Sequence, residues 1–213
     1  MSLIGDGLSH VSFGAIALGL SLGIYPFYVA FPVVIIASIL ILKISEKAKV
    51  YGDAAIGIVS AVGIAGGVIL AIVSKGFNVD LFSYLFGNIL AISTTEVILS
   101  VVLLFVVLAV IYFFYWDLFP AILDEEYAKT TGVKTNFINT LLTLLTAVTV
   151  VLSVKMVGIM LVSALLIHPA VTALQFAKGF KTAMIIASFA SLISVLLGIT
   201  FSFFLTCRPA QRL

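Results

Sequence analysis

Apolar residues run from Val11 to Leu42 without one charged side chain, and five further uncharged stretches follow: Ala54–Ser74, Val97–Trp116, Phe137–Val154, Met156–Ala177 and Thr182–Thr206. A hydrocarbon layer of about 30 Å, crossed at about 1.5 Å per helical residue, takes about 20 residues, so each of the five predicts one crossing. The first stretch is too long for one. Pro26 and Pro32 lie where a tight turn divides it, because proline lacks a backbone donor and disfavours helix in the residue before it. Residues 11–42 therefore predict two helices, the proline-rich second being the shortest of all. Nothing alternates with period two, as the strands of a membrane barrel do. The predicted fold is an all-α polytopic bundle of about seven transmembrane helices, forming a single transmembrane domain over residues 1–213.

Two connections are longer than tight turns. Residues 74–93, "SKGFNVDLFSYLFGNILAIS", mix aromatic and aliphatic positions with polar ones, a pattern suited to a helix lying in the interface, dipping back into the protein, or gating it. Residues 117–136, "DLFPAILDEEYAKTTGVKTN", hold four of the nine acidic residues, with Pro120 as a start signal and Gly132 as a stop. A short polar helix protruding from the bilayer is predicted there. Glycines cluster in "AIGIVSAVGIAGGV", where Gly57, Gly63, Gly66 and Gly67 predict close helix packing.

Composition confirms the class: 63% of the chain is hydrophobic and 9% charged, whereas a soluble domain carries about a quarter charged residues. A formal net charge of +2, scattered along the chain, excludes a nucleic-acid surface. Cys207 is the single cysteine, so neither an internal disulfide nor a cysteine-built metal site is available. Placing residues 43–53 in the cytoplasm puts Lys43, Lys47, Lys49, Lys129, Lys134, Lys178 and Lys181 inside, and Lys75, Lys155, Arg208 and Arg212 outside. That excess inside follows the positive-inside rule.

Candidate chemistry is sparse. In "GDGLSH", Asp6 and His10 stand four residues apart, on one face of a helix. As plain structure, Asp6 is a helix N-cap and His10 a hydrogen-bonded interfacial residue. As a site, the two offer an oxygen and a nitrogen ligand to a divalent cation. His168, in "LLIHPAV", precedes Pro169, which is expected to kink or break its helix; it is either a pathway residue or a histidine satisfied by a freed carbonyl. Asp80 and Glu96 flank the connection 74–93, where they either attract cations electrostatically or are simply solvated carboxylates; neither is taken into the site. No G-x-x-x-x-G-K-[ST] occurs, so the chain has no P-loop to cradle ATP phosphates.

Five segments, "SLIGDGLSHVSFGAIALG", "YGDAAIGIVSAVGIAGGV", "LFSYLFGNILAIS", "DEEYAKTTGVKTNF" and "VGIMLVSALLIHPAVTALQFAKGFKTAM", in this order, resemble the permease subunits of bacterial ABC transporters that import zinc, manganese or iron, the zinc type most of all. The resemblance implies a multi-pass protein of the bacterial plasma membrane. Its expected partners are a second permease copy in a dimer, a cytoplasmic ATP-binding subunit and an extracytoplasmic metal-binding protein. It implies a transporter subunit rather than an enzyme, with no permanent cofactor and with zinc, or else manganese or iron, as transported ion. Asp6 and His10 match positions that contact the metal in that family, so a dimer would present four ligands. The family gives His168 no such support. The stretch 126–132, "EYAKTTG", resembles the coupling motif that meets the ATPase, implicating Glu125, Glu126, Tyr127, Ala128 and Gly132, with Tyr127 and Ala128 facing the partner's groove. Members usually have a helix before the "GD" segment and another after Phe204, so this sequence is expected to be a piece trimmed at both ends. Two rival readings are an intramembrane metal-dependent hydrolase using Asp6, His10 and His168, although no H-E-x-x-H is present, and a membrane scaffold without transport.

Overall fold

A computed structural model describes residues 3–47, 52–73, 84–87 and 92–207. Its helices are α1 (Ile4–Ser21), α2 (Pro26–Lys47), α3 (Gly52–Val73), α4 (Thr94–Phe113), α5 (Tyr115–Leu123), α6 (Glu125–Thr130), α7 (Thr135–Val157), α8 (Ile159–Phe176) and α9 (Phe180–Cys207). Six of them, α2, α3, α4, α7, α8 and α9, are long and apolar enough to cross a membrane. The remaining predicted span is α1, 18 residues long, with Asp6 and His10 in its first half. The chain divides into two compact units, residues 1–163 and 164–213.

The division of 11–42 falls at residues 22–25, immediately before Pro26, and its turn is made by Gly23. Gly23 has φ +68, its N–H donates to the Leu20 carbonyl, and Ile24 donates to Gly19, which closes the last turn of α1 in a Schellman pair. Pro26 opens α2, where a missing N–H costs nothing, and Pro32 is carried inside the helix. The second helix is therefore 22 residues long, as long as α3, rather than the shortest. A membrane helix tolerates an internal proline because neighbouring helices and small local adjustments satisfy the freed carbonyl.

The core of the first unit is built on α1, α2, α3 and α7, around the fully buried Leu8, Ile16, Val34, Ile41, Val150 and Val154. Because lipid is as apolar as leucine, helix contact here must come from close van der Waals packing. The α1–α3 seam is made of glycine: a Cβ on Gly14 would fall 2.5 Å from the Gly63 carbonyl oxygen, and one on Gly67 would fall 3.0 Å from Gly14 Cα. Gly57 and Gly66 have nothing within 4 Å, so only two of the four clustered glycines pack this seam.

The boundary between α7 and α8 lies at Gly158, three residues beyond the charge at Lys155. Gly158 accepts the end of one hydrogen-bond ladder, donating to Val154, and starts the next, accepting from Val162. Its φ of +87 and ψ of 156 belong to a region that is essentially glycine-only. Gly87, φ +78, lies directly against it, with an added Cβ on either residue falling within 2.4–2.5 Å of the other segment's backbone. Most of the outer connection, residues 74–83 and 88–91, lies outside the described residues; Tyr84 and Leu85 pack against the core of the first unit.

Within the second unit, α9 and the rest of α8 border an apolar groove of about 560 Å³ lined by Leu166, Pro169, Ala187 and Leu192 among others. Pro169 neither ends nor divides α8, which runs on to Phe176.

Candidate metal site and coupling segment

Asp6 is the third residue of α1, and the cap position belongs to Leu3, which makes no side-chain cap bond. The N-cap explanation for Asp6 is thereby replaced: its carboxylate is not spent on the helix end. Asp6 Oδ1 lies 3.6 Å from His10 Nε2, and both side chains are about one-third exposed, at 32%. The separation exceeds a hydrogen bond. It matches the spacing of two ligands on one ion, since bonds of about 2.0–2.2 Å at a tetrahedral angle place neighbouring donors about 3.3–3.6 Å apart.

Sequence reasoning passed over the residue between them. Ser9 is fully buried, its Oγ donates to the Asp6 carbonyl at 2.7 Å, and it meets Ser163 Oγ of α8 at 2.7 Å. One turn on, Ser12 donates to the Leu8 carbonyl. An interhelical side-chain hydrogen bond in a membrane protein contributes about 0.6 kcal/mol on average, enough to orient a turn without fixing a helix.

His168 is exposed on α8 and belongs to the second unit, with its carbonyl accepting from Thr172 Oγ1 at 2.8 Å. Among the described residues no three His, Cys, Asp or Glu side chains come together, so the three-ligand centre of the hydrolase reading is not assembled there.

Glu96 is a correction. It is no solvated loop carboxylate: it sits in the first turn of α4 in a capping box, with Oε2 accepting from the Ser93 N–H at 2.9 Å and its own N–H donating to Ser93 Oγ. Its other oxygen accepts from Lys155 Nζ, near the end of α7. Lys155 also donates to Tyr25 Oη at 3.1 Å and stands 5.7 and 5.8 Å from the ring centres of Tyr25 and Phe27. Both ionic side chains are mostly buried, 18% and 16% exposed. The S-x-x-E signature of "STTE" carried the cap in the sequence; the lysine, 59 residues away, left no local signal.

The polar connection holds two helices where one was predicted. Pro120 lies inside α5 instead of starting the protruding helix, and the start signal is Asp124, whose Oδ1 accepts from the N–H groups of Glu126 and Tyr127 at 3.0 and 3.1 Å. Asp124 does this because its extended backbone leaves the carboxylate free to turn back on the first amides of α6. Gly132, φ +83, ends α6 as expected: its N–H donates to Lys129, and Val133 donates to Ala128, a Schellman pair like that of α1. Ala128 differs from expectation. It is fully buried beside Leu118, Ala121 and Ile138, because the third residue from a Schellman end packs under the residue that follows the glycine, here Val133. Tyr127, 61% exposed, is the residue α6 presents outward; Glu126 is exposed too, and the Glu125 side chain lies outside the described residues.

Comparison with known proteins bears on the whole chain. The profile of the ABC 3 transport family matches residues 1–211. The manganese import system permease protein ScaB of Streptococcus gordonii is 37% identical over 206 residues, covering 95% of this chain and 74% of the relative. The high-affinity zinc uptake system membrane protein ZnuB of Haemophilus influenzae is 30% identical over 204 residues, covering 96% and 78%. This chain spans 64% of a probable metal transport system membrane protein of Thermotoga maritima, to which it is 34% identical. A solved structure, PsaBC from Streptococcus pneumoniae in complex with Fab, superposes with a TM-score of 0.78 at 34% identity, covering 95% of this chain and 73% of that one. An all-helical bundle with six spanning helices beside α1, and a family profile that runs nearly end to end, make this chain a multi-pass protein of the bacterial inner membrane that belongs to the ABC 3 transport family.

Proposed function

We propose that this chain is the membrane-spanning permease subunit of an ABC importer of divalent metal ions, with Asp6 and His10 binding the ion in transit. The observation that carries the reading is the 3.6 Å Asp6–His10 pair, which leaves a carboxylate and an imidazole at ligand spacing on a membrane helix with no cap or hydrogen bond between them. Ionisable groups in a membrane segment are expensive and mark ion paths. A two-ligand set binds loosely, as transit requires, and a second copy in a dimer would supply two more ligands. Oxygen and nitrogen donors suit zinc, manganese and iron(II) alike, and the relatives named for manganese and for zinc support either cargo.

The relatives named as permease proteins of import systems support a driving ATPase on a separate cytoplasmic subunit, and α6, with Tyr127 outward and Ala128 locked beneath, is the element that meets it. An extracytoplasmic metal-binding protein delivers the ion from the other side. The test is accumulation of radioactive zinc and manganese by cells carrying the complete transporter. Loss of both by Asp6→Asn and His10→Ala, with normal membrane insertion, supports the site; uptake surviving either change removes it.

A further inference from the structure

We propose that Ser163 is a positioning residue for the metal pair, acting through Ser9; this rests on Asp6 and His10 being the transit ligands. A serine hydroxyl has one proton to give. Ser9 spends its proton on the Asp6 carbonyl, 2.7 Å away, so the 2.7 Å contact between the two hydroxyls is completed by Ser163 as donor and Ser9 as acceptor. The result is a directed chain from α8 to the backbone of the very residue that carries the carboxylate. Ser9 is fully buried and immediately precedes His10, so the turn holding both ligands is gripped from behind while their side chains stay one-third open.

A serine bonded back to its own helix slightly loosens and bends that turn. Ser163 opposes this by holding the hydroxyl in one rotamer. Its own place is set by the glycine-only break at Gly158, five residues earlier, where α8 begins against Gly87.

The test compares Ser163→Ala, Ser163→Thr and Ser9→Ala. In cells with the complete transporter, Ser163→Ala should raise the half-saturating metal concentration about threefold while uptake at saturating metal is retained. Ser163→Thr, which keeps the hydroxyl, should restore it, and Ser9→Ala plus Ser163→Ala should cost no more than one change alone, because both cut the same chain. A metal-free readout is carbethoxylation of His10 by diethyl pyrocarbonate in the purified chain, with His168, the only other histidine, as reference. Ser163→Ala should raise the His10 to His168 ratio about threefold, the weight of one interhelical hydrogen bond of about 0.6 kcal/mol. An unchanged ratio, an unchanged half-saturation, a fall in maximal uptake alone, or no rescue by threonine would each overturn the proposal. If Asp6→Asn and His10→Ala leave uptake intact while the ratio still moves, it is the transit-ligand reading that fails and not the Ser163 contact.

Discussion

Two acid–base pairs sit within the membrane helices of the first unit, and they are built in opposite ways. Glu96 and Lys155 come from helices far apart in sequence, and every strong valence they have is used: a backbone amide, a phenol, two aromatic faces and each other. Asp6 and His10 share one helix, miss hydrogen-bond distance, and keep their donor atoms partly open. A mostly buried ion pair survives only when its remaining lone pairs and protons are satisfied, which is the condition Glu96 and Lys155 meet. By the same logic Asp6 and His10 are poor structure, and their proposed role as ligands of a passing cation rests on that. One pair fastens the ends of three segments, and the other leaves room for a ligand.

The most damaging way to break this contrast is to remove a ligand. Asp6→Asn or His10→Ala should lower metal uptake by more than the roughly 10–100-fold that merely supporting groups cost, with little change in thermal unfolding of the detergent-purified chain. Next is Gly158→Ala, whose Cβ would meet the Gly87 amide nitrogen at 2.5 Å on a backbone that L side chains avoid. It should cost about 3 kcal/mol or more in stability, read as a large fall in melting temperature. Lys155→Met and Glu96→Gln should each cost about 1–2 kcal/mol, the double variant less than their sum, with the half-saturating metal concentration unchanged in all three. A shift in that concentration would mean the outer pair also takes part in ion passage. The smallest effect should come from Gly132→Ala, where space is free and only the left-handed backbone objects, about 1 kcal/mol. On the proposed docking of α6, its readout is the yield of co-purified ATPase, which Tyr127→Ala should reduce further because Tyr127 is the exposed face of α6.

Membrane crossing was written in the chain itself: runs such as Thr182–Thr206 can lie nowhere else, and their lengths follow from the bilayer's thickness. So were the glycine stop at Gly132, whose left-handed backbone favours glycine, and the Asp6–His10 spacing, since both are local. Helix boundaries have local causes too: Pro26 opens α2 after the turn that Gly23 makes, whereas Pro120 lies inside α5 and Asp124 caps α6 in its place. Tertiary structure alone decided what depends on two distant segments meeting. Ser9 reads as filler until Ser163 arrives from α8, Glu96 as a solvated acid until Lys155 does, and Ala128 as an outward residue until Leu118 and Ile138 cover it. Sequence fixes what each helix must bury and where its backbone can bend, through forces that act within a few residues. Which polar group finds a partner depends on helix packing, where each contact adds little and only the assembled bundle selects among them.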